Sequence, residues 1–411
     1  MKFGALTGLR GVCALIVAIS HLTVVGAIIQ SHFMQNSYLV VDFFFVLSGF
    51  VIAYAYLDEV CDRASTLSFM IRRFGRLYPL HLAVLCALIA NELVRFEAGR
   101  MGLSLEQQPF TAGYSLQMLV SNLFLAHSIG IEKVTSWNYP SWSISVEFYT
   151  YTLFAVVAIA TVSLRTSARL FVFGTLMAGA ALVPILYSKT GMFVTADYGL
   201  FRCIYGFFAG VLTFSAYRAS ADWRRTLTLN GVWRWLGPAI VEIVFAGAAI
   251  GFVIAADIGP LSFAAPIVFA VCVFVFADGI GPISRLLSTP VMQYLGDRSY
   301  SIYMVHSFIA IQVVHRCFSL IGRATHISLI EVMQNSVGDT LEMVNLGNPL
   351  WGDAVTIVYV GIVIAVSHCS YRWIEVPWRA WFNSAAEHMT ARHAAADRAR
   401  LAGAVNGQVP G

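Results

Sequence analysis

The sequence predicts an all-α, polytopic membrane protein, a bundle of about ten transmembrane helices, and three observations carry that prediction. Hydrophobic residues make up 58% of the 411 and charged residues 12%, against about 25% charged in an average soluble domain. The apolar residues fall into runs of about 17 to 22, the length a helix needs to cross hydrocarbon. The 26 Lys+Arg, nearly all arginine, lie in short clusters between those runs and leave a net charge of only +4. Clusters of that kind read as topology signals and argue against nucleic acid as a partner.

Taken in order, the spans are expected at 9–30, 38–57, 77–95, 143–164, 169–187, 200–217, 237–256, 260–277, 299–320 and 351–371. The first lacks a small-residue cleavage site and exceeds a signal-peptide core, so it is expected to be a retained helix. An even count puts both termini on one side. The clusters Arg63/Arg72/Arg73/Arg76, Arg165/Arg169, Arg218/Arg224/Arg225/Arg234, Arg285/Arg298 and Arg372/Arg379 then share that side. The positive-inside rule makes it the cytoplasm.

The loop at 96–142 holds an apolar stretch at 116–130, too short for a span. Counting it as one would invert every later cluster, so a re-entrant or interfacial segment is expected. The other long loop, 321–350, is polar and carries Glu331, Asp339 and Glu342. Residues 1–380 are expected to form one transmembrane domain. Residues 381–411 are expected as a short cytoplasmic tail, a helix from 385 followed by a disordered end. No soluble second domain is expected, and no internal repeat is evident, which weakens a secondary-transporter reading built on inverted repeats. Seven scattered cysteines without a Cys-x-x-Cys read as small buried hydrophobes, and no metal site is argued for.

Five constellations carry candidate chemistry. Arg10 and His21 are eleven residues apart in the first run. At about 100° and 1.5 Å per residue, that is roughly three turns and 16 Å along one helical face. An intramembrane imidazole is a candidate functional site, and its chemistry suits accepting a proton from a hydroxyl. Its plain alternative is a hydrogen bond to a neighbouring helix.

Arg73 and Arg76, at i and i+3 before Tyr78-Pro79, share a face if the stretch is helical and could clamp phosphate with two planar forks. With Arg10 they would place three arginines around one cytoplasmic mouth, suited to a polyphosphorylated donor. Glu147, one turn into an apolar run in Ser141-Trp142-Ser143-Ile144-Ser145-Val146-Glu147, is a candidate partner for His21 or for an acceptor hydroxyl. In the second span Asp42 could touch substrate, and Ser48-Gly49 offers a small-residue notch for helix packing. His306, two turns into Ser299-Tyr300-Ser301-Ile302-Tyr303-Met304-Val305-His306, serves packing or chemistry equally well.

His81, His127, His315 and His368 are read as satisfied core or interfacial histidines. Pro377 is expected to stop or kink the last helix, and Glu375 to pair with a cytoplasmic arginine. No P-loop, Rossmann fingerprint, Gly-x-Ser-x-Gly or His-Glu-x-x-His occurs.

These blocks, in this order, resemble the acyltransferase-3 family of integral membrane O-acyltransferases. The matching residues are Leu9-Arg10-Gly11 with His21, the Asp42-to-Phe50 stretch, Arg73/Arg76 before Tyr78-Pro79, Trp142 to Glu147, Ser299 to His306, and Glu375-Val376-Pro377. The resemblance covers residues 10–380. It implies a ten-helix bundle in the bacterial cytoplasmic (inner) membrane that passes an acyl group from cytoplasmic acyl-CoA to a hydroxyl, often on a sugar of an extracytoplasmic glycan.

Carried over, Arg10, Arg73 and Arg76 would hold the donor and His21 would be the catalytic histidine, with Glu147 as a second catalytic candidate. Asp42, Ser48, Trp142, Tyr303 and His306 would be substrate-binding or structural. Acetyl-CoA is the default co-substrate, without a metal. A glycan or glycolipid acceptor, the bilayer and glycan-assembly proteins are the expected partners. Direct transfer and a covalent acyl-enzyme both fit the sequence. Two rival readings use the same residues: a transporter or flippase for a sugar-linked or anionic substrate, and a silent scaffold for glycan assembly.

Overall fold

The computed structural model describes residues 3–103, 107–227, 233–334 and 340–406. In chain order the first helices are α1 (Gly4–Ser20), α2 (His32–Gln35), α3 (Val40–Tyr56), α4 (Arg63–Arg100), α5 (Leu116–Leu123), α6 (Trp142–Ala160), α7 (Thr166–Tyr187) and α8 (Gly199–Ala219). They are followed by α9 (Ala221–Leu227), α10 (Trp233–Ala256), α11 (Ala265–Ala277), α12 (Pro282–Leu287), α13 (Pro290–Asp297), α14 (Ser299–Ser307), α15 (Arg316–Thr325), α16 (Pro349–Ser370) and α17 (Val376–Asn406). Among the described residues, nine helical stretches are long and apolar enough to cross a membrane, and α1, at 17 residues, is a shorter apolar tenth. The chain is thus an all-α polytopic membrane protein.

Several boundaries differ from the sequence reading, each for a local reason. The first run, expected as one helix over 9–30, is helical only from Gly4 to Ser20. Beyond His21 the β-branched pair Val24-Val25 lies extended. Val344 donates its amide to the Thr23 carbonyl at 2.9 Å, and Val25 donates to the Val344 carbonyl at 2.9 Å. Val344 belongs to a hairpin of β1 (Ile330–Gln334) and β2 (Thr340–Val344) within the long polar loop. Apolar content alone cannot separate such a run from continuous helix. The expected acidic residue Asp339 lies outside the described residues.

The third span is the middle of a 38-residue helix, α4, whose start is set by a capping box between Asp62 and Ser65. The arginine cluster therefore lies on helix, as the shared-face reading of Arg73 and Arg76 requires. The stretch at 116–130 contains only the eight-residue α5, about 12 Å long and too short to span. After α14 the chain makes a π-helical segment, Phe308–His315, before α15.

Pro377 does not stop the last helix. A π-helical segment, Tyr371–Glu375, precedes it and α17 continues to Asn406, the wider turn being a common way to absorb the amide that proline lacks. Where a tail with a short helix from 385 was expected, helix runs unbroken and α17 packs on α4. A Cβ on Gly75 would fall 2.2 Å from that of Phe382. Residues 407–411 lie outside the described residues.

The tightest helix contact is between α3 and α8. A Cβ on Gly49 would lie 1.8 Å from the Phe207 carbonyl oxygen, and one on Gly210 would lie 1.9 Å from that of Val46. Apolar helices gain little by burying Leu against Leu in lipid, so close backbone approach through small residues does more of the work. The notch read from Ser48-Gly49 is this contact.

Candidate active site

Arg10, Arg73 and Arg76 converge. They line one pocket of about 820 Å³, part of it open to solvent, together with Ser48, Glu147 and Tyr303. Arg10 projects from α1, and its Nε and Nη2 donate to the Gly296 carbonyl at 3.3 and 2.8 Å. That approach exists because Gly11 and Gly296 face each other: a Cβ on Gly296 would sit 2.1 Å from the Thr7 carbonyl oxygen.

Arg73 donates to the Tyr56 hydroxyl at 3.1 Å and lies over the rings of Tyr56 and Phe69 at 5.2 and 5.9 Å. Arg76 reaches Glu375 at 3.5 Å, and Arg379 reaches the same carboxylate at 3.6 Å. Ser301 donates to its other oxygen at 3.0 Å. The pairing expected for Glu375 is thus present, with two arginines. Arg10, Arg73, Arg76 and Arg379 outnumber the carboxylates Glu147 and Glu375, and the net positive charge around the pocket favours an anion.

Glu147 sits on this arginine-lined side. Its carboxylate accepts a hydrogen bond from Ser48 Oγ at 2.7 Å and a second from the Tyr151 hydroxyl. Ser48 and Tyr151 are themselves 2.7 Å apart. The partnership expected between Glu147 and His21 is not among its contacts; its partners come from α3 and from the next turn of its own helix. Sequence reasoning missed Tyr151, although its i+4 spacing from Glu147 was the available signal.

His21 caps the C-terminal end of α1 and is half-buried. Its Nδ1 lies 2.8 Å from the Val17 carbonyl oxygen. A carbonyl only accepts, so Nδ1 carries the proton and Nε2 is left as the free acceptor. The ring meets Tyr139 at 5.3 Å and His306 at 5.0 Å between centroids. His306 is fully buried, and neither of its ring nitrogens has a hydrogen-bond partner among the described residues. It touches Tyr303 at 5.7 Å, and Tyr303 in turn accepts from Ser143 at 2.9 Å on the pocket wall.

Tyr359, also missed, places its hydroxyl 3.0 Å from the Ala18 carbonyl and 3.1 Å from that of His306. It ties the two histidine-bearing helices together. From Arg10 to His21 the chain thus runs from an arginine pocket to a partly open imidazole about 16 Å further along α1.

Two candidates, Asp42 and Trp142, do not line the pocket. Asp42 is fully buried and bound by Arg202, Nε to Oδ1 at 3.0 Å and Nη2 to Oδ2 at 2.8 Å. It faces Arg202 rather than the pocket. Trp142 packs edge-on against Phe45 and lies 5.4 Å below the Arg202 guanidinium. Arg202, the largest of the fully buried side chains, was left out of the sequence reading; an arginine inside an apolar run was itself the signal. Of the histidines read as satisfied, His81 bonds Asn122 O at 2.9 Å, His127 bonds Ser141 at 3.1 Å and His368 bonds Tyr294 at 3.0 Å. His315 approaches Glu342 at 3.7 Å.

Comparison with known proteins places this geometry in context. The chain is similar to an acyltransferase, MdmB, of Streptomyces mycarofaciens, 33% identical over 38% of this chain and 38% of that one. It is similar to protein 2 of the picA locus of Rhizobium radiobacter, 39% identical over 24% of this chain and 50% of that one. A Staphylococcus aureus protein named as a candidate O-acetyltransferase is 22% identical over 91% of this chain and 57% of its own length. The chain therefore spans less than two thirds of the length of each of these relatives. No solved structure matches it. The family model described as an acyltransferase domain matches residues 3–378, and with that near-complete match the chain belongs to the acyltransferase-3 family.

Proposed function

We propose that the protein is an integral membrane O-acyltransferase that moves an acyl group, acetyl by default, from cytoplasmic acyl-CoA to a hydroxyl of a sugar in a surface or exported glycan. The observation that carries this reading is the convergence of Arg73 and Arg76 of α4 with Arg10 of α1 on one pocket, α1 being the helix that ends in a histidine with one ring nitrogen committed and the other free.

The donor's phosphates would sit among the three arginines, and its pantetheine arm is long enough to run the roughly 16 Å along α1 to His21. There His21 Nε2 takes the proton of the acceptor hydroxyl as its oxygen attacks the thioester carbonyl. The new C–O bond forms, the C–S bond breaks, and the proton on His21 passes to the leaving thiolate, giving an ester and free CoA. Glu147 serves the donor side in this scheme, because Ser48 and Tyr151 hold it in the arginine pocket. The arginine-rich end faces the cytoplasm, where the donor is made, and the acceptor reaches His21 from the opposite face. Glycan-assembly proteins are the natural partners for delivering it.

The test is transfer of labelled acetyl from acetyl-CoA by purified, vesicle-embedded protein. His21→Ala is expected to abolish transfer while the protein still reaches the membrane folded; wild-type activity in that variant overturns the mechanism. Uptake of a sugar-linked substrate into vesicles with no acylated product would favour a transporter instead. The acceptor is found by mass spectrometry of surface glycans with and without the protein, as a sugar that loses one acetyl group in the deletion.

A further inference from the structure

Beside the arginine pocket, a second cleft of about 1140 Å³, part of it open to solvent, lies between the end of α3, the first turns of α4 and α17. Its wall includes Tyr56, Phe69 and Arg72, with Glu59, Glu387 and Thr390 around it. The partition between cleft and pocket is a single layer. Arg73 lines the pocket, while the Tyr56 and Phe69 rings on which its guanidinium rests, 4.9 Å apart, line the cleft. A molecule whose phosphates engage Arg73 would therefore have its next group at the cleft.

We propose that this cleft receives the adenosine 3′-phosphate end of the donor, a proposal that rests on the acyl-CoA reading above. The chemistry of the walls fits that end better than a bare polyphosphate. Aromatic rings offer apolar surface for a purine. Two exposed carboxylates, Glu59 and Glu387, can accept from an exocyclic amine. Arg72 is held by Glu387 at only 3.4 Å, with the two side chains 25% and 68% exposed, so its guanidinium can turn to a phosphate at little cost. The cleft is floored by α17, the helix that continues past Pro377 into the stretch expected as a short tail helix, and it exists only because that helix docks on α4.

The experiment compares acetyl-CoA with acetyl-pantetheine, which shares the thioester arm and lacks the nucleotide, and separately measures binding of adenosine 3′,5′-bisphosphate to detergent-purified protein. In Arg72→Gln, the ratio of kcat/KM for acetyl-CoA to that for acetyl-pantetheine is expected to fall about tenfold, the worth of one charge-assisted contact. The cleft-filling Thr390→Trp, at an exposed position that folding tolerates, is expected to lower the same ratio and to weaken bisphosphate binding.

A ratio unchanged in both variants, or bisphosphate binding that neither affects, overturns the cleft assignment. If the wild type turns over neither donor, the acyltransferase reading falls. The bisphosphate measurement then decides the cleft by itself: binding lost in both variants keeps it as a nucleotide site, and no binding removes it.

Discussion

Asp42 and Arg202 show what a charge inside an apolar helix can be for. Each alone would be costly in a membrane interior, and together they form a two-pronged pair with no exposed surface. Breaking such a pair by removing one partner typically costs about 3–5 kcal/mol, whereas replacing both by apolar residues can be nearly neutral. Asp42→Asn is therefore expected to lower thermal stability in detergent sharply and Asp42→Leu with Arg202→Met to recover most of it; equal losses would mean that the pair does more than hold α3 to α8. Glu147 belongs to a different category, since it shares a pocket with three arginines. Glu147→Gln keeps an acceptor for Ser48 and Tyr151 but removes the charge, so its effect is expected on KM for acetyl-CoA, by about three- to tenfold. Steady-state kinetics check this, and a fall in kcat at constant KM would move Glu147 to the transfer step.

At the scale of elements, glycine contacts decide where the arginines point. The α1–α13 crossing at Gly11 and Gly296 brings two backbones close enough for Arg10 to use the Gly296 carbonyl. Gly296→Ala would drive a methyl group into the Thr7 carbonyl region. Overpacking of this kind costs about 1–3 kcal/mol, so a lower melting temperature and a higher KM for acetyl-CoA are expected together; a stable variant with unchanged KM would show that Arg10 does not depend on this crossing. The shared helix of Arg73 and Arg76, the notch at Gly49 and the i, i+4 pairing of Glu375 with Arg379 were legible in the sequence, because spacing on a helix determines which residues share a face. The end of α1 was not, because Val24 and Val25 are extended only through pairing with Val344, more than three hundred residues away. The continuation of the last helix was equally hidden: proline ordinarily interrupts, and here a π-helical turn takes up the mismatch.

Over the whole molecule, the arrangement is directional, with the arginine pocket beside the first half of α1 and a half-buried imidazole at its C-terminal end. If the arginine end is cytoplasmic, Cys61, exposed in the link before α4, is on the cytoplasmic side. In a variant that keeps Cys61 as its single cysteine, a membrane-impermeant maleimide is expected to label only after the membrane is permeabilised. Labelling in intact cells would reverse the topology and the proposed direction of transfer with it.

By itself the sequence determined that the chain is a helical membrane bundle, and which polar residues stand inside it. Both follow from local physics: a run of about 20 apolar residues can satisfy its backbone in hydrocarbon as a helix, and each buried charge stands out against such runs. Only the tertiary structure decided how those residues are partnered. It put Glu147 with Ser48 and Tyr151, gave Asp42 to Arg202, and set His306 against His21. Each of those partners comes from another helix or from a neighbouring turn, and a one-dimensional pattern records which face a side chain occupies without recording what meets that face.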